Sequence, residues 1–196
     1  MKYQYSFLKE TLDHIDNLIM ILKKKLSNIK YGLRDPKTNK QYKRWNEDKH
    51  CYEATEDDYF KIWRLASAKD TIQSKIGICW DTVELERDFL SKTNIEFRMF
   101  YSEGPDYEDA THTWIEYQDS NGKWKWLERS WQKYQDNNLE SDDWLDLAKE
   151  ITSILVKEND KYHKYKTYLL TTYPKPGVNS IEFMKSCRNQ KKMVIR

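Results

Sequence analysis

Leu8, Leu12, Ile15, Ile19, Leu22, Leu26 and Ile29 recur at alternating intervals of four and three. That spacing lines one side of a helix, and the pattern predicts an N-terminal helix over about 6–31, ending near Tyr31 and Gly32. Leu18, Met20 and Ile21 widen the apolar surface. The widening favours packing inside the domain over a two-helix seam, with a homodimer through this helix as the alternative.

From Arg34 to Lys49 the chain reads RDPKTNKQYKRWNEDK, polar and basic with no regular period, which predicts a long loop. Thr55 followed by Glu56, Asp57 and Asp58 forms a helix-start signal, and the helix is expected to run through about Thr71 with Phe60, Trp63 and Leu65 among its apolar residues. A further helix is expected after Ser141, Asp142 and Asp143, where Trp144, Leu147, Ile151 and Ile154 fall at helical spacing. A last short helix is expected over Ile181, Glu182, Phe183 and Met184.

Four segments alternate or enrich aromatic and branched residues as strands do: IEFRMFY (95–101), THTWIEY (111–117), KWKWLER (123–129) and YKTYLLT (165–171). Helices dominate the first half and strands the second, and a hairpin replaces strand–helix alternation. The pattern therefore predicts an α+β fold rather than a doubly wound sheet. At 196 residues the chain suits one domain, 1–196, with the core at about 55–173.

Composition narrows the function classes. The 34 basic and 32 acidic residues leave a net charge of only +2, so overall charge gives no case for nucleic acid or an anionic membrane as partner. Eight Trp and fourteen Tyr predict an aromatic core. Cysteines at 51, 79 and 187 have no paired spacing, which argues against a disulfide framework and a zinc ribbon. A metal site using His50, Cys51 and Cys79 lacks ligand spacing. The N-terminal sequence has no signal-peptide pattern and no stretch reaches membrane-spanning length, so the expectation is a cytoplasmic protein with no cofactor.

The segment KIGICWD (75–81) carries the candidate chemistry. On a helical wheel Ile78, Cys79, Thr82, Val83, Leu85, Phe89 and Leu90 share one face, while Asp81, Glu84, Arg87 and Asp88 lie opposite. Cys79 thus falls in the first turn, where unsatisfied N–H groups and the helix dipole favour a thiolate. Gly77 allows a close backbone approach just before it. Taken alone, Cys79 also suits a small buried apolar residue. Glu86 falls among the apolar positions and is expected to be paired or at a boundary.

In ATHTWIEYQDSNGKWKWLERSW (110–131) two strands flank an Asn-Gly turn. A two-residue loop would send His112 and Glu128 to opposite sides. A three-residue loop, Ser120 to Gly122 with the glycine left-handed, puts His112, Trp114, Trp126 and Glu128 on one face. Glu128 then lies diagonal to His112, roughly 7–8 Å away at the backbone and within side-chain reach. A thiol, an imidazole and a carboxylate in that order suffice for nucleophilic acyl transfer.

GICWD, THTW and WLERSW, in that order, resemble the Cys, His and acid segments of the transglutaminase-like superfamily, particularly its small bacterial members. The resemblance covers about residues 70–132. It implies a papain-like α+β core in which Cys79 opens a helix packed on a small antiparallel sheet, with the N-terminal helix added to it. It also implies Cys79 as nucleophile, His112 as general base and acid, and Glu128 as orienting carboxylate in place of the commoner Asp. Gln73, six residues before the nucleophile, stands where papain-like enzymes carry an oxyanion donor; the backbone N–H of Cys79 is a second candidate.

The expected function is acyl transfer or hydrolysis at an amide, either a glutamine side chain or a peptide bond, on a protein or peptide substrate. Trp80, Trp114, Trp126 and Trp131 are candidates for an apolar substrate cleft. The acidic stretch Glu103 to Asp109 invites a cationic substrate or a purely solvated loop. The alternatives are a cysteine peptidase with the same triad, or a non-enzymatic module binding nucleic acid or protein through the basic 34–49 loop.

Overall fold

A computed structural model describes residues 2–38, 40–42, 61–104, 111–158, 165–190 and 193–195. Its central element is an antiparallel sheet in the spatial order β10-β9-β5-β6-β7-β8. The strands are β5 (Phe97–Glu103), β6 (Thr111–Gln118), β7 (Trp124–Leu127), β8 (Glu140–Ser141), β9 (Lys166–Leu170) and β10 (Met193–Ile195). The helices are α1 (Lys2–Leu26), α2 (Ala68–Ser74), α3 (Cys79–Leu90), α4 (Trp144–Glu158) and α5 (Ser180–Arg188). The fold is mixed α+β, with the four expected strands side by side in one sheet.

Period-two alternation explains the layering, because successive strand residues point to opposite faces. Met99, Tyr101, Ile115, Tyr117 and Leu127 join Ile19, Leu22 and Leu26 of α1, Cys79 and Val83 of α3 and Phe183 of α5 in one core. Phe100, Trp114, Trp124, Trp126 and Leu169 join Leu147, Ile151 and Leu155 of α4 in a second core on the other side. Ile19, Leu22 and Leu26 of the α1 stripe are therefore spent inside the domain, with Ile15 and Leu18 packed against the same core, although Met20 and Ile21 stay exposed.

Helix boundaries depart from the periodicity at three places. First, α1 ends at Leu26, and Lys30–Tyr31 (β1) runs parallel to Ile76–Gly77 (β4). Ile29 is off the helix, yet it still packs against the first core. Second, the expected loop 34–49 begins as a small hairpin of Leu33–Arg34 (β2) and Gln41–Tyr42 (β3). Its turn is closed by Asp35, whose carboxylate accepts from the Lys37 N–H at 2.8 Å and the Thr38 hydroxyl at 2.7 Å. Residues 43–49 lie outside those described.

Third, the helix expected over Thr55 to Thr71 is not continuous; its start, including Phe60, lies outside the described residues. Arg64 bridges Asn179 in an isolated antiparallel contact, and a separate helix begins at Ala68. Ser67 caps it by accepting from the Asp70 N–H at 3.1 Å. Asp81 pulls the segment straight, accepting from the Ala66 N–H at 2.9 Å and from Trp63 Nε1 at 3.3 Å. The last helix is longer than Ile181 to Met184, because Asn179 and Glu182 cap each other's backbone N–H groups at its start.

Candidate active site

Helix α3 begins at Cys79, as the wheel predicts. Its start is stabilised from within: no side chain of Ile78 can cap it, and Asp81 accepts from the Ile78 N–H at 3.0 Å. Burial pushes the Asp81 pKa up to about 6, against three hydrogen bonds that favour the charged form. Gly77 is required by close approach and not by an unusual φ. A Cβ there would stand 2.9 Å from the Cβ of Asp81, a contact too short for any side chain. The sequence thus brings the thiol to the first helical position, where its own N–H has no intrahelical acceptor.

The 110–131 hairpin adopts the three-residue loop. Glu116 faces Trp126 and Gln118 faces Trp124. The Asp119 N–H donates to the Lys123 carbonyl at 2.8 Å, and Gly122 takes φ +80°. Asp119 holds the loop by accepting from the N–H groups of Asn121 and Lys123, each at 2.9 Å. This register brings the imidazole and the carboxylate together: His112 Nε2 and Glu128 Oε2 are 2.7 Å apart.

The Cys79 side chain lies close enough to the same imidazole to help raise its pKa. Burial opposes the charge on His112, but the Glu128 charge, the hydrogen bond that His112 donates to Glu128, and the Cys79 side chain outweigh it, raising its pKa to about 10. Burial likewise opposes ionisation of Glu128, which is only 2 % exposed. The charge and hydrogen bond of His112, with donors from Ser130 and Trp131, nevertheless hold it below its ordinary value. Its second oxygen, Oε1, accepts from the Ser130 N–H and Oγ at 2.6 and 2.7 Å and from the Trp131 N–H at 2.8 Å.

Ser130 is a supporting residue that the sequence reading passed over. The serine two positions after the acid, in LERS, is the available signal: such a hydroxyl and N–H can turn back onto a preceding carboxylate. Glu86 is the second. It is neither paired nor at a boundary: it is 1 % exposed, and its Oε2 has no hydrogen-bond partner among the described residues. Burial, then the Glu128 charge, push its pKa well above the ordinary value, with Arg129 and His112 opposing. The polar side of α3 is only partly solvated, since Asp81 and Glu84 are buried while Arg87 and Asp88 are partly exposed.

The remaining candidates separate. Trp131 stays half-buried with its ring centroid 5.7 Å from that of His112, a position open to a cleft role. Trp80 is fully buried, stacked on Phe183 at 4.1 Å and edge-on to Trp63 at 4.9 Å, so it is core and not cleft. Trp114 and Trp126 belong to the second core, under α4, for the same reason. Gln73 is exposed on α2, and no hydrogen bond joins it to the Cys79 site among the described residues. Glu103 is not part of an acidic loop: it is a buried strand residue bound by Arg188 Nε at 2.7 Å and Tyr101 Oη at 2.9 Å. Residues 105–110, with the rest of that stretch, lie outside the description, as do His50 and Cys51.

Cys79 and Cys187 are both free thiols. Burial, then the Glu103 charge, push Cys187 far up, which leaves it chemically inert. Among the described residues no cluster of three His, Cys, Asp or Glu side chains forms a metal-binding group, and no helix is long and apolar enough to cross a membrane. No family model, no curated protein and no solved structure matches the chain.

Proposed function

We propose that this protein is a transglutaminase-like cysteine enzyme on a papain-like core, acting at an amide of a protein or peptide through Cys79, His112 and Glu128. The observation that carries the reading is the buried His112–Glu128 pair at 2.7 Å, with the Cys79 side chain near enough to act on the imidazole. The start of a helix and the two arms of one hairpin supply these groups, and all three side chains are buried from bulk water.

The chemistry follows from the geometry. With the thiol's proton already held on His112 as an imidazolium, Cys79 sulfur attacks the amide carbonyl carbon, whose oxygen becomes an oxyanion beside the Cys79 N–H. The C–N bond breaks as the imidazolium gives its proton to the departing nitrogen, leaving a thioester. Water or a second amine then attacks the thioester, His112 removes its proton, and the thiol is restored. Glu128 stays ionised throughout, fixing the ring and stabilising its positive charge. Free thiols suit a cytoplasmic setting.

Mass spectrometry of glutamine peptides incubated with the protein and a primary amine tests this. Deamidation adds about one mass unit, amine transfer adds the amine less ammonia, and peptidase action splits the chain. One of these products is expected, and its loss in Cys79→Ala ties it to the thiol. No product of any kind would remove the enzymatic reading and leave a binding module.

A further inference from the structure

Beside the triad lies a cavity of about 410 Å³, lined by Lys30, Tyr31, Gly77, Thr82, Arg129 and Ser130 among others. Two of its walls touch the catalytic groups directly. Ser130 donates twice to Glu128, and the Thr82 hydroxyl donates to the Cys79 carbonyl at 2.9 Å. Its rim, at Lys30 and Tyr31, is exposed to solvent. The lining thus brings two cations, Lys30 and Arg129, to one cavity.

Arg129 is the unusual member. No acidic side chain forms an ion pair with it among the described residues, and its Nε, sealed from solvent, has no hydrogen-bond partner there. The two nearby buried acids cannot serve it. Glu128 has both oxygens engaged, by His112 on one and by Ser130 and Trp131 on the other. Glu86 makes no hydrogen bond to Arg129, and burial and the Glu128 charge push the Glu86 pKa well above the ordinary value. Gln135 Nε2 donates to the Arg129 carbonyl at 2.7 Å, which fixes the backbone that aims the guanidinium. Half-buried Lys23 of α1 reports the same positive surroundings: burial first, then the charges of Arg129 and Lys125, push its pKa down, with Asp136 opposing.

A guanidinium that stays unpaired beside a cavity is matched by a carboxylate, which can take two of its N–H groups at once. We propose that this cavity is a recognition subsite for a carboxylate carried by the acyl donor, with Arg129 as its anchor and Lys30 at its mouth. The assignment rests on the enzymatic reading of Cys79, because only then does an amide-bearing ligand have reason to lie across the cavity and the triad together. The carboxylate has two sources in a peptide, an acidic side chain or the C-terminus.

Three glutamine peptides test it on the full-length Cys79→Ala protein: one with a glutamate and an amidated end, one with a free C-terminus and no acid, one with neither. Titration calorimetry should show at least one charged peptide binding about tenfold or more tightly than the neutral one. The peptide that gains identifies the source. The preference should disappear in the Cys79→Ala/Arg129→Gln protein, and in Cys79→Ala/Lys30→Gln, whose changed residue is exposed, it should fall severalfold. Equal binding of all three peptides, no binding, or a preference that survives Arg129→Gln overturns the proposal. A charge preference that depends on Arg129, in a protein whose wild type turns over none of the peptides, would keep the subsite and refute the enzymatic reading.

Discussion

Glu128 Oε2 sits 2.7 Å from His112 Nε2, and the other oxygen of the same carboxylate is held by Ser130 and Trp131. The acid is therefore fixed from behind before it orients the imidazole. Replacing Glu128 by Gln preserves shape and loses the charge that stabilises the imidazolium. The expected result is an unchanged melting temperature within a few degrees and a fall of roughly 10²-fold or more in kcat/KM, carried by kcat. Steady-state kinetics with circular dichroism on the same preparation checks it.

A second expectation concerns pH and a group remote from catalysis. Glu116 is fully buried, and burial, despite a hydrogen bond from Trp114 and the charge of Arg98, raises its pKa from 4.5 to about 8. A carboxyl whose folded pKa is raised favours folding fully below pH 4.5 and loses that contribution as pH rises to about 8. Glu116→Gln removes the titration. Urea unfolding should show the variant gaining on the wild type by up to about 1.4 kcal/mol per pH unit across that window. A constant difference from pH 5 to 9 would contradict it.

Gly77→Ala should destabilise the protein by about 1–3 kcal/mol, because the added Cβ meets the Asp81 Cβ at 2.9 Å and neither atom can swing aside. Asp81 also holds the N–H groups of Ala66 and Ile78, so the displacement reaches the start of α3. Denaturant unfolding measures the loss. Alkylation of Cys79 should slow in the same variant as the thiol moves from His112.

Arg188→Ala should cost about 3 kcal/mol. It leaves the buried carboxylate of Glu103 without its cation, while the hydroxyls of Tyr101 and Tyr168 remain as donors. Thermal unfolding of Arg188→Ala against Arg188→Lys separates the charge from the geometry.

The sheet and the candidate triad were legible because they rest on parity and short loops. Once Gly122 is left-handed, the hairpin register follows, and His112 and Glu128 meet. Cys79 was legible as a helix start because the periodicity begins there. What was not legible rests on distant partners. Trp63 to Ser67 looks helical locally, but Asp81 binds Ala66 across fifteen positions and holds the segment extended. Lys30 and Tyr31 continue the helical stripe in pattern, yet pair with Ile76 and Gly77. A wheel assigns the side opposite the apolar face to solvent, and it therefore misplaced Asp81 and Glu84, since α1, α2 and the sheet all contact α3. Tryptophan beside a motif says nothing of which side of a sheet it fills, so Trp80, Trp114 and Trp126 read as cleft and stand as core.

The central claim, that Cys79 is a nucleophile served by His112, is tested most directly by site-resolved iodoacetamide kinetics at neutral pH, which need no substrate. His112, charged beside Glu128, would stabilise a Cys79 thiolate, whereas burial pushes the Cys187 thiol up. Cys79 should be modified well before Cys187 and Cys51, and His112→Ala should bring its rate down toward theirs. Equal rates for all three thiols in the wild type, or a Cys79 rate indifferent to His112, would contradict the account.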